Sequence, residues 1–238
     1  MDRLAHRRKP PGKSRAILRG IPMARISWEE PQAGHFEVDL VHHSGPSPSG
    51  QYIHTVQMLD VATDWSECVA VLGRSQWVMG DGFEHIQARL PFDIVEIHPD
   101  NGSEFFNYHL LNYWKSMVQG VELSRCRPFQ KNDNRFVEEN NFSILRAYVG
   151  YQRLDTVSQI VLLNQLYDKL WWYHNFFQPV MRLRQKIVDI SSRKQNRIKR
   201  IFDDKRTPFN RLCDKGALSP ERQEHLLALR NTINPSQL

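Results

Sequence analysis

Three acidic residues, far apart in the sequence, are the side chains with which this chain could do chemistry. Asp39 lies in an alternating apolar and polar segment, Asp100 follows a β-branched apolar segment, and Glu138 lies in a helix-forming segment. Carboxylates that are crowded together repel one another unless a cation neutralises them. Mg²⁺ prefers oxygen ligands, and two such ions activate the attacking oxygen and stabilise the leaving oxygen of a phosphodiester. Convergence of these residues would therefore predict metal-dependent phosphoryl transfer.

The segment 94–106 predicts a strand, a tight turn and the start of a helix around Asp100. Its first part is apolar and β-branched, Asp100-Asn101-Gly102 has turn composition, and Ser103 opens a segment with apolar residues at helical spacing. This turn would place Asp100 at the carboxyl edge of a sheet, where open α/β folds keep their chemistry. The same composition is also ordinary for a turn, so a purely structural role stays open.

The chain from residue 35 to residue 123 predicts the sheet that positions these carboxylates. Residues 35–42 and 52–60 follow a strand pattern on either side of a turn rich in Pro, Ser and Gly, which predicts a hairpin. A strand, a helix, a strand, a helix and a last short strand follow at 68–72, 74–90, 93–98, 103–118 and 121–123. If the first and fourth strands are adjacent, Asp39 and Asp100 lie side by side.

The region after the sheet predicts two helices with a polar loop before them. Residues 124–134 form the loop, residues 135–149 form a helix, and a long helix capped by Asp155 or Thr156 runs to about residue 177. The first of these helices contains both Glu138 and Glu139. Either glutamate could supply the third carboxylate on this evidence.

Composition and charge point to a soluble globular protein with a polyanionic partner. The 238 residues are 40% apolar and 24% charged, and the formal net charge is +6. Basic residues concentrate in the segment 1–34, which reads as an extended arm, and in the segment after residue 181. Mildly basic proteins are common, so the net charge alone is weak evidence for nucleic-acid binding.

Cysteine usage and hydropathy favour a cytoplasmic protein. Cys68, Cys126 and Cys213 are odd in number and widely spaced, which suits neither a disulfide framework nor a zinc cluster. The basic N-terminal segment lacks the apolar core of a secretory signal. The most apolar later stretch, 157–180, contains too many polar residues for a bilayer span. We therefore expect no membrane partner and a location in a reducing compartment such as the cytoplasm.

Four motifs, in this order, resemble the catalytic core of the DDE transposases and retroviral-type integrases of the RNase H-like superfamily. The motifs are Phe36-Glu37-Val38-Asp39-Leu40-Val41, Asp60-Val61-Ala62-Thr63-Asp64-Trp65, His98-Pro99-Asp100-Asn101-Gly102-Ser103-Glu104-Phe105 and Lys131-Asn132-Asp133-Asn134-Arg135-Phe136-Val137-Glu138. The resemblance spans about residues 34–180. It is greatest to bacterial insertion-sequence transposases with an integrase core, which also carry a segment like residues 175–179 after the long helix.

The resemblance implies an α/β fold with an RNase H-like core. Its mixed five-stranded sheet has three antiparallel strands, followed by alternating helices and parallel strands, and helices flank it. The implied domains are a basic extended arm at 1–34, the catalytic core at 35–180, and a basic C-terminal tail with a short helix at 181–238.

The resemblance also assigns roles to residues. It implies that Asp39, Asp100 and Glu138 are catalytic and bind two Mg²⁺ ions, or Mn²⁺ in their place. Glu138 is preferred to Glu139 because the family pattern has an asparagine three residues after its glutamate, which Asn141 matches. Arg127, Lys131, Arg135 and Asn141 are the expected DNA contacts, and the alternative for the cations is that they are surface charges without a partner.

The implied activity is DNA end cleavage followed by strand transfer, with the element ends and target DNA as partners and a homo-oligomer assembled on DNA. Water would cut the end and leave a 3′-hydroxyl, which would then attack a target phosphodiester. Transposases of this type usually carry helix-turn-helix units before the core, whereas only a basic arm precedes it here. A second hypothesis is therefore a truncated, catalytically incompetent remnant that only binds DNA.

Overall fold

The computed structural model of the protein describes residues 20–27, 30–100, 102, 105, 108–117, 120–127, 130, 133–189 and 197–238. Its strands are β1 (Met23–Ala24), β2 (His35–His42), β3 (Ile53–Asp60), β4 (Ser66–Leu72), β5 (Glu96–Pro99), β6 (Glu122–Leu123), β7 (Arg125–Cys126), β8 (Leu183–Asp189) and β9 (Arg197–Phe202).

In the described part of the chain, five of these strands form one mixed sheet in the order β4-β3-β2-β5-β6. The β2–β3 and β3–β4 pairs are antiparallel, and the β2–β5 and β5–β6 pairs are parallel. The predicted hairpin and the predicted mixed five-stranded sheet flanked by helices are thus confirmed. Two smaller pairs stand outside this sheet: β1 with β7 in parallel, and β8 with β9 in antiparallel orientation.

The α-helices are α1 (Gln76–Arg89), α2 (Tyr108–Met117), α3 (Arg135–Asn140), α4 (Ala147–Val149), α5 (Val157–Trp172), α6 (Pro208–Asp214) and α7 (Pro220–Thr232). A π-helical turn, Asn141–Arg146, joins α3 to α4, and a second one, Tyr173–Phe177, continues α5. Thr156, rather than Asp155, caps α5 in a capping box with Gln159. Within the described residues, no helix combines the length and apolar character that a membrane crossing requires.

Side chains cover the sheet on both faces, which explains why β3 is buried at every position. Alternate residues such as Val38, Leu40 and Met58 pack with α1 in one apolar cluster. The residues between them, such as Val41 and Ile53, pack with α5 in a second cluster. The period of two in β2 thus sends Glu37 and Asp39 to the α5 side of the sheet.

A buried carboxylate fixes two helices to β4. Glu67 accepts hydrogen bonds from the indole N–H groups of Trp65 at 2.9 Å and Trp171 at 2.6 Å. The Arg89 guanidinium at the end of α1 lies 2.7 Å from its Oε2. Burial raises the pKa of Glu67, and these three donors oppose that effect. Glu67 thereby links α1, β4 and α5.

The region 181–238 contains more structure than the sequence analysis expected. Alongside the predicted helix α7, the structure contains the hairpin of β8 and β9 and the helix α6. Phe209, Leu212, Leu218 and Leu226 join the core cluster on the α1 side of the sheet. Of the predicted N-terminal arm, residues 1–19 lie outside the described residues.

A buried histidine makes the stability of the fold depend on pH. His54 is 2% exposed, and neither of its ring nitrogens has a hydrogen-bond partner among the described residues. Burial, reinforced by the nearby positive charges of His42 and Arg74, lowers the pKa of His54 to about 4. The stability that neutral His54 confers is therefore complete above the unfolded-state pKa of about 6.5 and is lost as the pH falls towards 4.

We expect His54→Phe, which keeps a ring at this position, to remove that pH dependence. Lowering the pH from 7 to 4 should reduce the unfolding free energy of the wild type by about 3 kcal/mol more than that of the variant. Urea denaturation at pH 7, 5.5 and 4 measures this difference. A difference that stays constant over this range would contradict the assignment.

Candidate active site

Asp39 lies within β2, and Asp100 directly follows the neighbouring strand β5. Strands β2 and β5 run parallel, with Val38 opposite Pro99, and each aspartate is the next residue along its strand. Asp39 is half-buried within β2, whereas Asp100 directly follows the end of β5. The strands that carry the two carboxylates are thus adjacent, as the sequence argument required.

The backbone around Asp100 forms a side-chain-stabilised turn. The Gly102 amide donates to Asp100 Oδ1 at 2.8 Å, which is the local hydrogen bond that favours Asp at such positions. Asn101, Ser103 and Glu104 lie outside the described residues. This contact fixes one oxygen of Asp100, and a purely structural turn would contain it too.

The helix that carries Glu138 is anchored to the strand that carries Asp39. Glu37 lies two residues before Asp39 and is only 2% exposed. Its Oε2 accepts hydrogen bonds from the amides of Phe136 at 2.8 Å and Val137 at 3.0 Å, in the first turn of α3. A carboxylate here satisfies amides that have no partner within the helix and interacts favourably with the helix dipole. Burial nevertheless raises the pKa of Glu37 to about 8.

Two asparagines add further contacts between this helix and β2. Asn134 Nδ2 donates to the Val38 carbonyl at 3.1 Å. Asn141, the first residue of the π-helical turn, donates from Nδ2 to Asp39 Oδ2. Such turns are often found at functional sites. Asn141, predicted as a DNA contact, therefore holds a candidate catalytic carboxylate, whether or not it also meets DNA.

Glu138 shares its surroundings with Asp100. Burial raises the pKa of Cys126 to about 12, and the negative charges of Asp100, Asp133, Glu37 and Glu138 raise it further. Asp100 and Glu138 therefore both lie within electrostatic range of this thiol.

Glu139 faces elsewhere. Its charge acts on Asp64 and Arg135, and it lines a cavity of about 280 Å³. The other residues that line this cavity are Asp64, Arg135, Phe136, Asn140, Ser143, Val180, Met181, Arg182 and Phe202. Consecutive helical residues point about 100° apart, and this separation supports Glu138 as the glutamate of the candidate site.

The donor atoms match Mg²⁺ in kind. Asp39, Asp100 and Glu138 offer carboxylate oxygens, which are the ligands that this cation prefers. Asn141 Oδ1 is buried beside Asp39 without a hydrogen-bond partner among the described residues, so it offers a further oxygen. Within those same residues, however, no group of three or more His, Cys, Asp or Glu side chains is placed to hold a metal ion. The donors are therefore suitable, but they do not form a three-carboxylate site in this conformation.

The cations predicted to contact DNA have protein partners. Arg127 makes a two-point ion pair with Asp133, with N···O distances of 2.8 and 2.7 Å. The Arg135 guanidinium lies 4.1 Å from the centre of the Phe136 ring, and burial lowers the pKa of Arg135 to about 10. Lys131 lies outside the described residues. Arg127 remains half-exposed, so its ion pair leaves part of its surface accessible.

A buried hydrogen-bond network supports β5 immediately before Asp100. His98 Nδ1 lies 2.6 Å from Ser124 Oγ, and Ser124 donates to Glu96. Glu96 in turn lies 2.8 Å from His35 Nδ1, while His98 Nε2 lies 3.5 Å from Cys126 Sγ. Burial lowers the pKa of His98. The network links β5 to β2 and to the chain leading into β7.

Sequence reasoning did not identify Glu37 as part of this site. In the alternating pattern of β2 it is a polar residue like any other, and the contacts that bury it come from a helix about 100 residues later in the chain. Its position two residues from Asp39, on the same face of the strand, is the one signal that the sequence contains.

Solved structures with a similar fold include retroviral integrases. A chain of the simian T-cell lymphotropic virus intasome, determined in complex with PP2A regulatory subunit B56 gamma, aligns with a TM-score of 0.51 and 14% sequence identity. The alignment covers 67% of this chain and 54% of that one. The catalytic core domain of BIV integrase aligns over 62% of this chain and 86% of its own, with a TM-score of 0.44 and 15% identity. The likeness to the intasome chain shows that the protein shares the fold of its α/β core with that chain.

A curated relative extends the comparison to sequence. The uncharacterized protein y4rM of Sinorhizobium fredii (strain NBRC 101917 / NGR234) is 37% identical over 180 residues. The match covers 75% of this chain and 51% of the relative, so the chain spans about half the length of that protein. No family model matches the chain.

Proposed function

We propose that this protein is an Mg²⁺-dependent DNA transposase or integrase of the DDE class, with an RNase H-like core, that cleaves DNA ends and joins them to target DNA. The observation that carries the proposal is the placement of Asp39 and Asp100 on adjacent parallel strands, with the Glu138 helix anchored to the same strand as Asp39. The integrase-like fold supports it, because the compared viral proteins are an intasome chain and an integrase core.

In this proposal Asp39, Asp100 and Glu138 hold two Mg²⁺ ions, or Mn²⁺ in their place. Bound Mg²⁺ supplies electrostatic stabilisation to the attacking and leaving oxygens of an in-line phosphodiester displacement. The chain itself fixes the carboxylates: Asn141 holds Asp39, and the Gly102 amide holds Asp100. The first reaction hydrolyses the element end and leaves a 3′-hydroxyl, and the second joins that hydroxyl to a target phosphodiester.

The partners in this proposal are element ends and target DNA, gripped by cationic side chains around the site and in the C-terminal region. Lys199 and Arg200 on β9 are exposed, and the chain carries a net charge of +6. Binding through phosphate contacts weakens as salt rises, because it releases condensed counterions. Two ends must be held together for transposition, so we also propose a homo-oligomer on DNA.

The test combines the full chain with two DNA substrates. The first is a set of labelled duplexes with the sequences that flank its gene, and the second is a supercoiled plasmid that serves as the target. The proposal predicts 3′-end cleavage and joined products in Mg²⁺ or Mn²⁺, and none in EDTA. If neither product forms with Mg²⁺ or with Mn²⁺, the proposal is contradicted.

The second candidate function is a DNA-binding remnant without catalysis. The observation in its favour is that the described carboxylates do not form a three-ligand metal site. This candidate predicts salt-sensitive binding, indifferent to sequence, with no metal-dependent cleavage of any end duplex. The same experiment therefore separates the two functions.

Substitution of the two neighbouring glutamates tests which of them is catalytic. We expect Glu138→Gln to reduce strand transfer by about 10²-fold or more. Glu139→Gln should stay within about fivefold of wild type, because Glu139 faces the separate cavity beside Asp64 and Arg135. Gel quantification of joined products gives both values. A larger loss of strand transfer for Glu139→Gln than for Glu138→Gln would instead assign the catalytic role to Glu139.

A further inference from the structure

We propose that Glu37 is a positioning residue, a fourth acidic side chain that fixes helix α3, and with it Glu138, against the strand carrying Asp39. This inference rests on the proposed function and deepens it. Glu37 touches neither substrate nor metal in this account, because its side chain is buried and its Oε2 is engaged by two backbone amides.

The anchor is adjacent to the residue that it positions. Glu37 Oε2 accepts from the amides of Phe136 and Val137, and Glu138 is the next residue. Consecutive Cα atoms are 3.8 Å apart across a fixed peptide plane, so a displacement of the Val137 amide displaces Glu138 as well. One oxygen on β2 thus controls the position of the candidate third ligand.

The remaining contacts show that the helical segment after Asn134 runs alongside β2 in the same direction. Asn141 meets Asp39, and Arg146 donates to the His42 carbonyl at 2.9 Å. The Glu37 contact lies at the start of the segment, where α3 begins. Its loss would leave Asn134 as the remaining contact at the end of the helix that carries Glu138, while the Arg146 contact holds the other end.

The chemistry of the anchor sets the choice of variants. The carbonyl oxygen of a carboxyl group accepts hydrogen bonds whether the group is ionised or protonated. Glu37→Gln retains a carbonyl oxygen that can accept from both amides, whereas Glu37→Leu leaves both amides buried without an acceptor. Glu67→Gln is the matched control, because it also neutralises a buried carboxylate but lies away from α3.

The experiment combines amide hydrogen exchange with steady-state strand transfer on the full chain. For Glu37→Leu we expect exchange in the segment 133–140 to accelerate by about tenfold or more, corresponding to the loss of the two hydrogen bonds that Glu37 accepts from α3. We expect kcat to fall by about 10²-fold, the effect of a misplacement of about 1 Å, with the KM for DNA within about threefold. Glu37→Gln should recover most of both, and Glu67→Gln should leave the exchange of 133–140 unchanged.

The inference is overturned if Glu37→Leu matches Glu67→Gln in both exchange and kcat. If Glu37→Leu does not fold, Asn134→Ala removes the neighbouring contact to the Val38 carbonyl and should produce the same exchange and kcat changes in weaker form. Failure of the proposed function has a different signature, since wild type itself would then join no DNA. In that event the exchange measurement alone decides whether Glu37 anchors the helix.

Discussion

Asp100→Asn is expected to abolish end cleavage and strand transfer, with a loss on the order of 10³-fold or more, while DNA binding stays within about twofold. Asparagine retains an Oδ1 that can accept from the Gly102 amide, as Asp100 does at 2.8 Å, so the turn should persist. The substitution removes only the negative charge that a divalent cation requires. A loss of activity without a loss of folding would therefore separate the catalytic role from the structural turn.

The measurement pairs quantified joined products with DNA affinity at several salt concentrations. Asp93→Asn is the control, because Asp93 is an exposed carboxylate just before β5 and belongs to no part of the proposed machinery. It should match wild type in both assays. Strand transfer by Asp100→Asn at more than about a tenth of the wild-type rate would remove Asp100 from the site.

Glu67→Ala is expected to lower the free energy of unfolding by about 3–5 kcal/mol, the cost of breaking a buried ion pair on one side. The change leaves the Arg89 guanidinium and the indole N–H groups of Trp65 and Trp171 without their shared acceptor. Arg89 belongs to α1, Trp171 belongs to α5 and Trp65 lies directly before β4, so both helices lose their attachment to β4. The effect should appear as a lower urea midpoint.

The second ion pair of Arg89 provides a control for this prediction. Arg89 also pairs with Asp168 at 3.0 Å, but the Asp168 side chain is 63% exposed. Exposed pairs contribute little, so Asp168→Ala should cost less than about 1 kcal/mol. Equal costs for the two variants would show that burial of the Glu67 carboxylate is not the source of its contribution.

Elements with strong local patterns could be predicted from the sequence. The alternation in β2 and β3 and the turn between them predicted the hairpin, and Asp155 or Thr156 predicted the start of α5, where the structure places the cap at Thr156. The position of Asp100 after β5 followed from β-branched residues before a turn. In each case the information lies within a few residues, which is the range over which propensity and capping act.

Features that depend on distant partners could not be predicted in this way. Glu37 resembles a solvent-facing strand residue until α3 covers it, and Arg127 resembles a free cation until Asp133 pairs with it. The hairpin of β8 and β9 escaped prediction because basic residues interrupt a clear alternation of apolar and polar residues in its strands.

The most direct test of the central claim is to locate the metal on the chain. In the presence of DNA, Fe²⁺ bound in place of Mg²⁺ and supplied with hydrogen peroxide and ascorbate generates hydroxyl radicals that cut the backbone beside the ion. The fragments are then sized by mass spectrometry. Convergence of the three carboxylates predicts cuts near residues 39, 100 and 138, all weakened by Asp100→Asn. Cuts that fall elsewhere, or that persist unchanged in Asp100→Asn, would contradict a shared metal site.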